Sequence, residues 1–293
     1  MKQCIFTFIL AFTSMHWAVT LSETQCIYCL STPRSLSTVF YKAMENRGDC
    51  AVLNEPGVQA YTAQFEPEAY DIIATPHDPR TFDEAIARIG QLQNSHKIVF
   101  VKEMGFAAKQ YLFSVDLENC VYSPVIVLFL VRNPHAALAS LYNKRPELFP
   151  VLEDWMSYED MWKLFVHTCN SALYRPYVMI AEDLAQDPVD TIKKFCDFCE
   201  ISFDEKSLHW DRLSDSMPSD HPWNNDVGHL WFSDLLQSTG FCKPHAYDVD
   251  AAGEPTFIEI HDIDHRAVYQ QLYTRNKPYY ERFVALRIPK ESK

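Results

Sequence analysis

Two stretches of this sequence group side chains that can hold oxyanions. The first is Thr32-Pro33-Arg34-Ser35-Leu36-Ser37-Thr38, lying between a short apolar run and a helix-periodic one. A segment between a strand and a helix offers free backbone N–H groups at the positive end of the helix dipole. Arg34 adds a forked cation, and Ser35, Ser37 and Thr38 add hydroxyl donors. A plain Ser-capped helix start explains the same residues without a ligand. The second stretch is Leu130-Val131-Arg132-Asn133-Pro134, with Ser140 eight residues after the arginine. An arginine closing a strand and a serine two turns into the next helix suit a second, separate phosphate. An arginine in that place also suits a surface ion pair. Neither stretch ends in Gly-Lys-Ser/Thr, so the lysine that an ATPase or GTPase sets on the β/γ-phosphates is missing, which argues against that class.

The elements that must position these residues follow from periodicity. Residues 25–31 are short and apolar and end in Ser-Thr-Pro-Arg, which predicts a buried strand feeding a loop. A helix is expected over 35–46, then a break at Asn54-Glu55-Pro56-Gly57. A helix over 81–94, a strand over 97–104 and an unbroken apolar strand over 125–131 come next, the last suiting the centre of a parallel sheet. Pro134 opens another helix. Then come a helix over 158–174, a fourth strand over 177–181 and a helix over 187–198 begun by Asp-Pro. The last third is aromatic and less regular, ending in a helix over about 265–286 interrupted at Pro278. Strands alternating with helices imply an α/β chain with a mostly parallel central sheet flanked by helices. With no repeat, low-complexity tract or linker, residues 23–293 read as one domain behind an apolar segment at 1–22.

Bulk properties narrow the classes. The 293 residues are 47% hydrophobic and 22% charged, an ordinary globular balance. A net charge of −13 argues against a nucleic-acid groove, but one nucleotide needs only a local cluster of cations and amides. Only 7 glycines are present, so the loops must lean on Asn, Asp, Pro and helix caps. The 9 cysteines are odd in number and scattered, unlike a disulfide framework. The pairs Cys26/Cys29 and Cys196/Cys199 read as buried small residues rather than zinc ligands, and no metal site is expected. His261 and His265, with Asp262 and Asp264, read as a solvated turn. Trp210, Trp223, Trp231 and Tyr247 read first as core or lid packing, with the lining of an acceptor pocket as the alternative. The apolar run at 4–21 fits a signal peptide, a membrane span at the short limit, or an upstream start before Met15. Cysteine usage leans to the cytoplasm, with a secretory or membrane-anchored route left open by residues 1–22.

Taken together, the two oxyanion motifs resemble the sulfotransferase family that uses 3′-phosphoadenylyl sulfate (PAPS), whose fold is of the P-loop, three-layer type. In that family a Pro-Arg-Ser-Gly-Ser/Thr-Thr loop holds the 5′-phosphosulfate, and an Arg-Asn/Asp-Pro segment with a later Ser holds the 3′-phosphate. Pro33-Arg34-Ser35-Leu36-Ser37-Thr38 and Arg132-Asn133-Pro134 with Ser140 match those patterns. Further similarity lies in Val99-Phe100-Val101-Lys102-Glu103-Met104 and in Ile180-Ala181-Glu182-Asp183-Leu184 followed by Asp187-Pro188. The likeness covers residues 25–205. Leu36 stands where the family's loop glycine falls, and Ser31 precedes Thr32 where Gly is frequent. The expectation is that the helix starts at or before Leu36.

The resemblance implies PAPS as co-substrate, with Thr32, Pro33, Arg34, Ser35, Leu36, Ser37, Thr38, Arg132 and Ser140 binding it. Sulfuryl transfer needs cations and amides on the sulfuryl oxygens and a base on the acceptor hydroxyl. Arg34 fills the first role. Glu55 is the candidate base, placed 21 residues after Arg34, about where Golgi-type members set a catalytic glutamate. A cap on the next helix or a pair with Arg34 are its alternatives. Lys102 closes a strand within reach of the transferring group, with a surface lysine as its alternative. Cytosolic members follow the strand-end lysine with histidine, and here Glu103 follows. The partner is a hydroxyl-bearing acceptor of unspecified class. The competing reading is a catalytically silent relative that binds a nucleotide or a protein.

Overall fold

The computed structural model describes residues 25–75, 77–112, 114, 125–213, 226–242, 250 and 254–287. Five parallel strands form one sheet in the order β2-β3-β1-β4-β5. They are β1 (Gln25–Ser31), β2 (Cys50–Asn54), β3 (Ile98–Met104), β4 (Val125–Val131) and β5 (Tyr174–Ile180). The mostly parallel sheet flanked by helices on both faces is the α/β arrangement expected.

The sheet forms because its inner strands are apolar on both faces. In β1, alternate residues serve opposite cores: Cys26, Tyr28 and Leu30 join one cluster, Ile27 and Cys29 the other. Every residue of β4 is buried, and each Leu, Ile, Val or Phe so buried contributes roughly 2 kcal/mol. The first face carries α4 (Phe82–Gln93), α5 (Pro134–Lys144), α6 (Tyr158–Cys169) and α9 (Ile263–Leu286). The opposite face carries α1 (Ser37–Asn46), α7 (Pro188–Cys199) and α8 (Asp226–Gln237). The chain therefore leaves β1 toward one face and β4 toward the other. In an open α/β sheet that divergence opens a crevice beyond the carboxyl ends of the strands, where ligands bind.

Helix starts follow local chemistry. Thr81 caps α4 through its side chain, which accepts from the Glu84 N–H at 3.2 Å, a bond worth about 1 kcal/mol. Asn133 accepts from the His135 N–H at 2.9 Å, with Pro134 at the first helical position of α5. Asp262 caps α9 by accepting from the N–H groups of Asp264 and His265 at 2.9 and 3.0 Å. The His261–His265 segment is therefore a capped helix start rather than a free turn.

The structure corrects several boundaries. Residues 50–54 form β2, a strand that periodicity did not reveal, and the break at Asn54-Glu55-Pro56-Gly57 separates it from α2 (Pro56–Phe65) and α3 (Pro67–Ile73). Five residues are too short to show a pattern, and β2 is held by its register on β3. The middle of the sheet is β1, with β4 beside it. The helix expected over 158–174 ends at Cys169, because Tyr174 already pairs with Val125 at the start of β5. Pro176 sits inside β5 and is tolerated because β5 is an edge strand. The terminal helix is not interrupted at Pro278 but runs through it. Tyr269, Leu272, Tyr273 and Asn276 before the proline and Phe283 after it are buried, and that packing outweighs a local cost of about 3 kcal/mol.

Pro278 is itself exposed. Pro278→Ala should restore the helix bond without disturbing the core and raise stability by roughly 1–3 kcal/mol, measured by chemical denaturation.

Candidate functional site

The two oxyanion motifs and the candidate catalytic residues start at or just beyond the carboxyl ends of strands, with Ser140 two turns into α5. Residues 32–38 follow β1, Glu55 follows β2, Lys102 and Glu103 lie near the end of β3, and Arg132 follows β4. Parallel pairing sets Ser31 beside Met104 and Leu130, so these ends form one rim.

The loop after β1 is shaped by two residues in the left-handed region, Arg34 at φ 62° and Leu36 at φ 68°. Helix α1 does not start at Ser35. Leu36 is its N-cap, and no side chain caps it. The Leu36 carbonyl accepts the first helical bond, from the Phe40 N–H at 3.0 Å. Leu36 thus takes the glycine-like conformation that its place in the motif calls for, at a cost of order 1 kcal/mol or more. The reason is that β1 and α1 are both anchored in the core, leaving the loop no longer path. Ser35 is buried, and its hydroxyl donates to the Thr32 carbonyl at 2.7 Å, bracing the loop. Thr32 Oγ1 donates to the Tyr158 hydroxyl at 3.4 Å, which donates in turn to the Arg132 carbonyl at 2.6 Å. Pro33 and Ser37 are buried and Thr38 is half-buried at the start of α1.

The two motifs meet directly. Arg34 Nε donates to Ser140 Oγ at 3.1 Å, and Arg132 Nη1 donates to the Arg34 carbonyl at 2.8 Å. The Arg34 guanidinium is turned toward α5 and α8, donating to the Trp231 carbonyl at 3.5 Å and lying 3.8 Å from Asp234. Glu182 buttresses the second motif. It accepts from the Asn133 N–H at 2.9 Å and from the Tyr280 hydroxyl at 3.2 Å, tying that loop to α9.

Glu55 and Lys102 form an ion pair. Lys102 is not the surface lysine its type suggests, since it is fully buried on β3. Glu55 neither caps α2 nor pairs with Arg34. It sits at the N-cap place in the left-handed region, φ 53° and ψ 46°, without a side-chain cap bond. The cap comes from Glu103 on the neighbouring strand, whose carboxylate accepts from the N–H groups of Gly57 (2.5 Å), Val58 (3.3 Å) and Met104 (2.9 Å) and from the Tyr111 hydroxyl (2.9 Å). Gly57 has to be glycine here, because a Cβ would stand 2.6 Å from Glu103 Oε2. Burial is the largest influence on Glu103, pushing its pKa up to about 7, with the nearby Glu55 charge adding to the rise and the hydrogen bonds opposing it.

Tyr158, the buttressing role of Glu182 and the capping role of Glu103 escape sequence reasoning, although the Glu182 segment is part of the family likeness. Tyr158 carries no local signal, and Glu103 registers only as a departure from a histidine pattern. The cysteine pairs are free, buried thiols. Burial pushes Cys26 and Cys29 up to about 12, and Cys196 to about 11, which makes them inert. Trp210 is buried against Phe241 and Trp231 packs near Trp155, while Trp223 and Tyr247 lie outside the described residues. So do residues 1–24. Among the described residues no helix is long and apolar enough to cross a membrane, and no cluster of metal-ligating side chains occurs.

A family model described as "Sulfotransferase domain" matches residues 25–254. The chain belongs to the sulfotransferase domain family. Branched-chain-amino-acid aminotransferase-like protein 1 of Arabidopsis thaliana is 27% identical over 235 residues, 78% of this chain and 38% of that protein. Protein 2 of the same name and organism is 26% identical over 231 residues, 76% of this chain and 37% of that one. The chain therefore spans well under half the length of these curated relatives. Among solved structures, mouse sulfotransferase SULT7A1 complexed with PAP superposes with a TM-score of 0.46 at 12% identity, covering 91% of this chain and 90% of that one. The sulfotransferase domain from the Synechococcus PCC 7002 olefin synthase gives 0.43 at 18% identity, covering 86% and 94%.

A carboxyl whose folded pKa is raised stabilises the fold fully below its unfolded value and loses that contribution as pH rises through its folded value. For Glu103 the window runs from the ordinary glutamate value of 4.5 to about 7. Glu103→Gln removes this titration. The melting temperature of the wild type relative to Glu103→Gln should therefore rise as pH is lowered through that window, and a flat difference would contradict the assignment.

Proposed function

We propose that this sulfotransferase-family chain moves a sulfuryl group from PAPS to a hydroxyl acceptor by in-line displacement. The observation that carries the reading is the direct junction of the two oxyanion motifs, Arg34 on Ser140 at 3.1 Å and Arg132 on the Arg34 carbonyl at 2.8 Å. With the Glu55–Lys102 pair on the same rim, cations, helix-start amides and a carboxylate share one crevice.

The bound nucleotide would supply the sulfuryl group and, as leaving group, 3′,5′-adenosine bisphosphate. The first-turn N–H groups of α1 have no partner within the helix and meet the 5′ end. Arg132 and Ser140 take the 3′-phosphate. Lys102 is held rigidly by the sheet and neutralises charge growing on the bridging oxygen. Glu55 accepts the proton of the acceptor hydroxyl, and its left-handed backbone keeps the carboxylate at the rim instead of folded onto its own helix. Strain retained at Arg34, Leu36 and Glu55 fits a site in which backbone placement matters more than local comfort. The leucine in the loop also supports the second reading, a relative that binds the nucleotide without turnover.

Glu55→Gln should abolish sulfate transfer from radiolabelled PAPS across an acceptor panel while leaving 3′,5′-adenosine bisphosphate affinity within about two-fold, whereas Arg132→Ala should weaken that affinity by about ten-fold or more. Unchanged turnover in Glu55→Gln would remove Glu55 as the base. Nucleotide binding by the wild type without transfer to any acceptor would favour the silent reading.

A further inference from the structure

Helix α5 carries a cation that neither motif includes. Lys144 lies four residues after Ser140, hence on the same face of α5 one turn on. Its ammonium donates to Ser233 Oγ at 2.9 Å and to Asp234 Oδ1 at 2.8 Å, both on α8. The other oxygen of Asp234 is 3.8 Å from Arg34 Nη2. One carboxylate therefore bridges two cations whose side chains are 19% and 28% exposed, while its own side chain is 73% exposed. The cations are built into the fold, and the anion between them hangs from a helix at the surface.

We propose, resting on the nucleotide reading above, that Lys144 is a further ligand of the nucleotide's 3′-phosphate and that Asp234 is an internal anion holding the place until that phosphate displaces it. Arg34 donates to Ser140, Arg132 donates to the Arg34 carbonyl, and Lys144 shares Asp234 with Arg34, in a chain of net charge −13. Arg34 and Lys144 repel one another across Asp234, whose exposed carboxylate offsets part of that repulsion. A phosphate monoester brings close to two negative charges and three acceptor oxygens, enough to engage the fork of Arg132, the Ser140 hydroxyl and Lys144 together. The Asp234 contacts are those of an exposed carboxylate, screened by solvent, so displacing them costs little.

The test is calorimetric titration of the full chain with 3′,5′-adenosine bisphosphate and with adenosine 5′-phosphate, which lacks the 3′ group. Lys144→Ala should weaken the bisphosphate by about ten-fold and leave the monophosphate within about two-fold, and Lys144→Arg should recover most of the loss. Asp234→Asn should tighten the bisphosphate by about two- to five-fold, since a competing anion is gone. Asp234 is exposed and Lys144 half-buried at the surface, so melting temperatures close to the wild type accompany these results. Wild-type affinity for the bisphosphate in Lys144→Ala, or no tightening in Asp234→Asn, overturns the proposal while leaving the nucleotide reading in place. A wild type that binds neither nucleotide overturns both.

Discussion

The arrangement of the rim depends on one division of labour between adjacent residues of β3. Successive side chains of a strand point to opposite faces, so Lys102 and Glu103 cannot serve the same side. Glu103 points with Val99 and Val101 into the first core and takes the N-terminus of α2. Lys102 points with Phe100 toward the other face and reaches Glu55 at the rim. Had Glu55 capped its own helix, its carboxylate would be spent on backbone N–H groups. Because the neighbouring strand supplies that cap, Glu55 remains available at the rim.

This exchange has costs that the rest of the fold covers. Two carboxylates lie near each other, and the repulsion contributes to the raised pKa of Glu103. A fully buried lysine is tolerable only while paired, since an unpartnered charge in a sheet interior is destabilising by several kcal/mol. Glu55 holds a left-handed backbone that a non-glycine residue adopts reluctantly. Its N–H donates to the Lys102 carbonyl at 2.7 Å, so the β2–β3 ladder itself pins the strained residue beside its partner.

A similar logic joins the two oxyanion motifs. They are about a hundred residues apart in the chain, yet Tyr158 bonds to both, and its own N–H donates to Asn276 of α9 at 3.1 Å. Helix α9 thereby braces the crevice from behind, although its sequence shows no likeness to either motif. Helix α8 meets the loop after β1 through the contacts of Trp231 and Asp234 with Arg34. The C-terminal third, irregular when read as a string, supplies the two helices that contact the loops of the candidate site and Tyr158.

Local chemistry in the sequence determined the strands β1, β3 and β4, the helix starts at Thr81, Asn133 and Asp187, and the two motifs at strand ends. These signals are short-range: apolar runs, caps and the geometry of Pro at a helix start. Tertiary structure alone decided that 50–54 is a strand, that α9 runs through Pro278, and that Leu36 takes a left-handed backbone. Each rests on contacts with residues far away in the chain, which outweigh local preference. The fate of Lys102 was equally hidden. A lysine near a strand end is exposed by type, and only the β2–β3 register, with Glu55 at its end, gives it a partner in the interior.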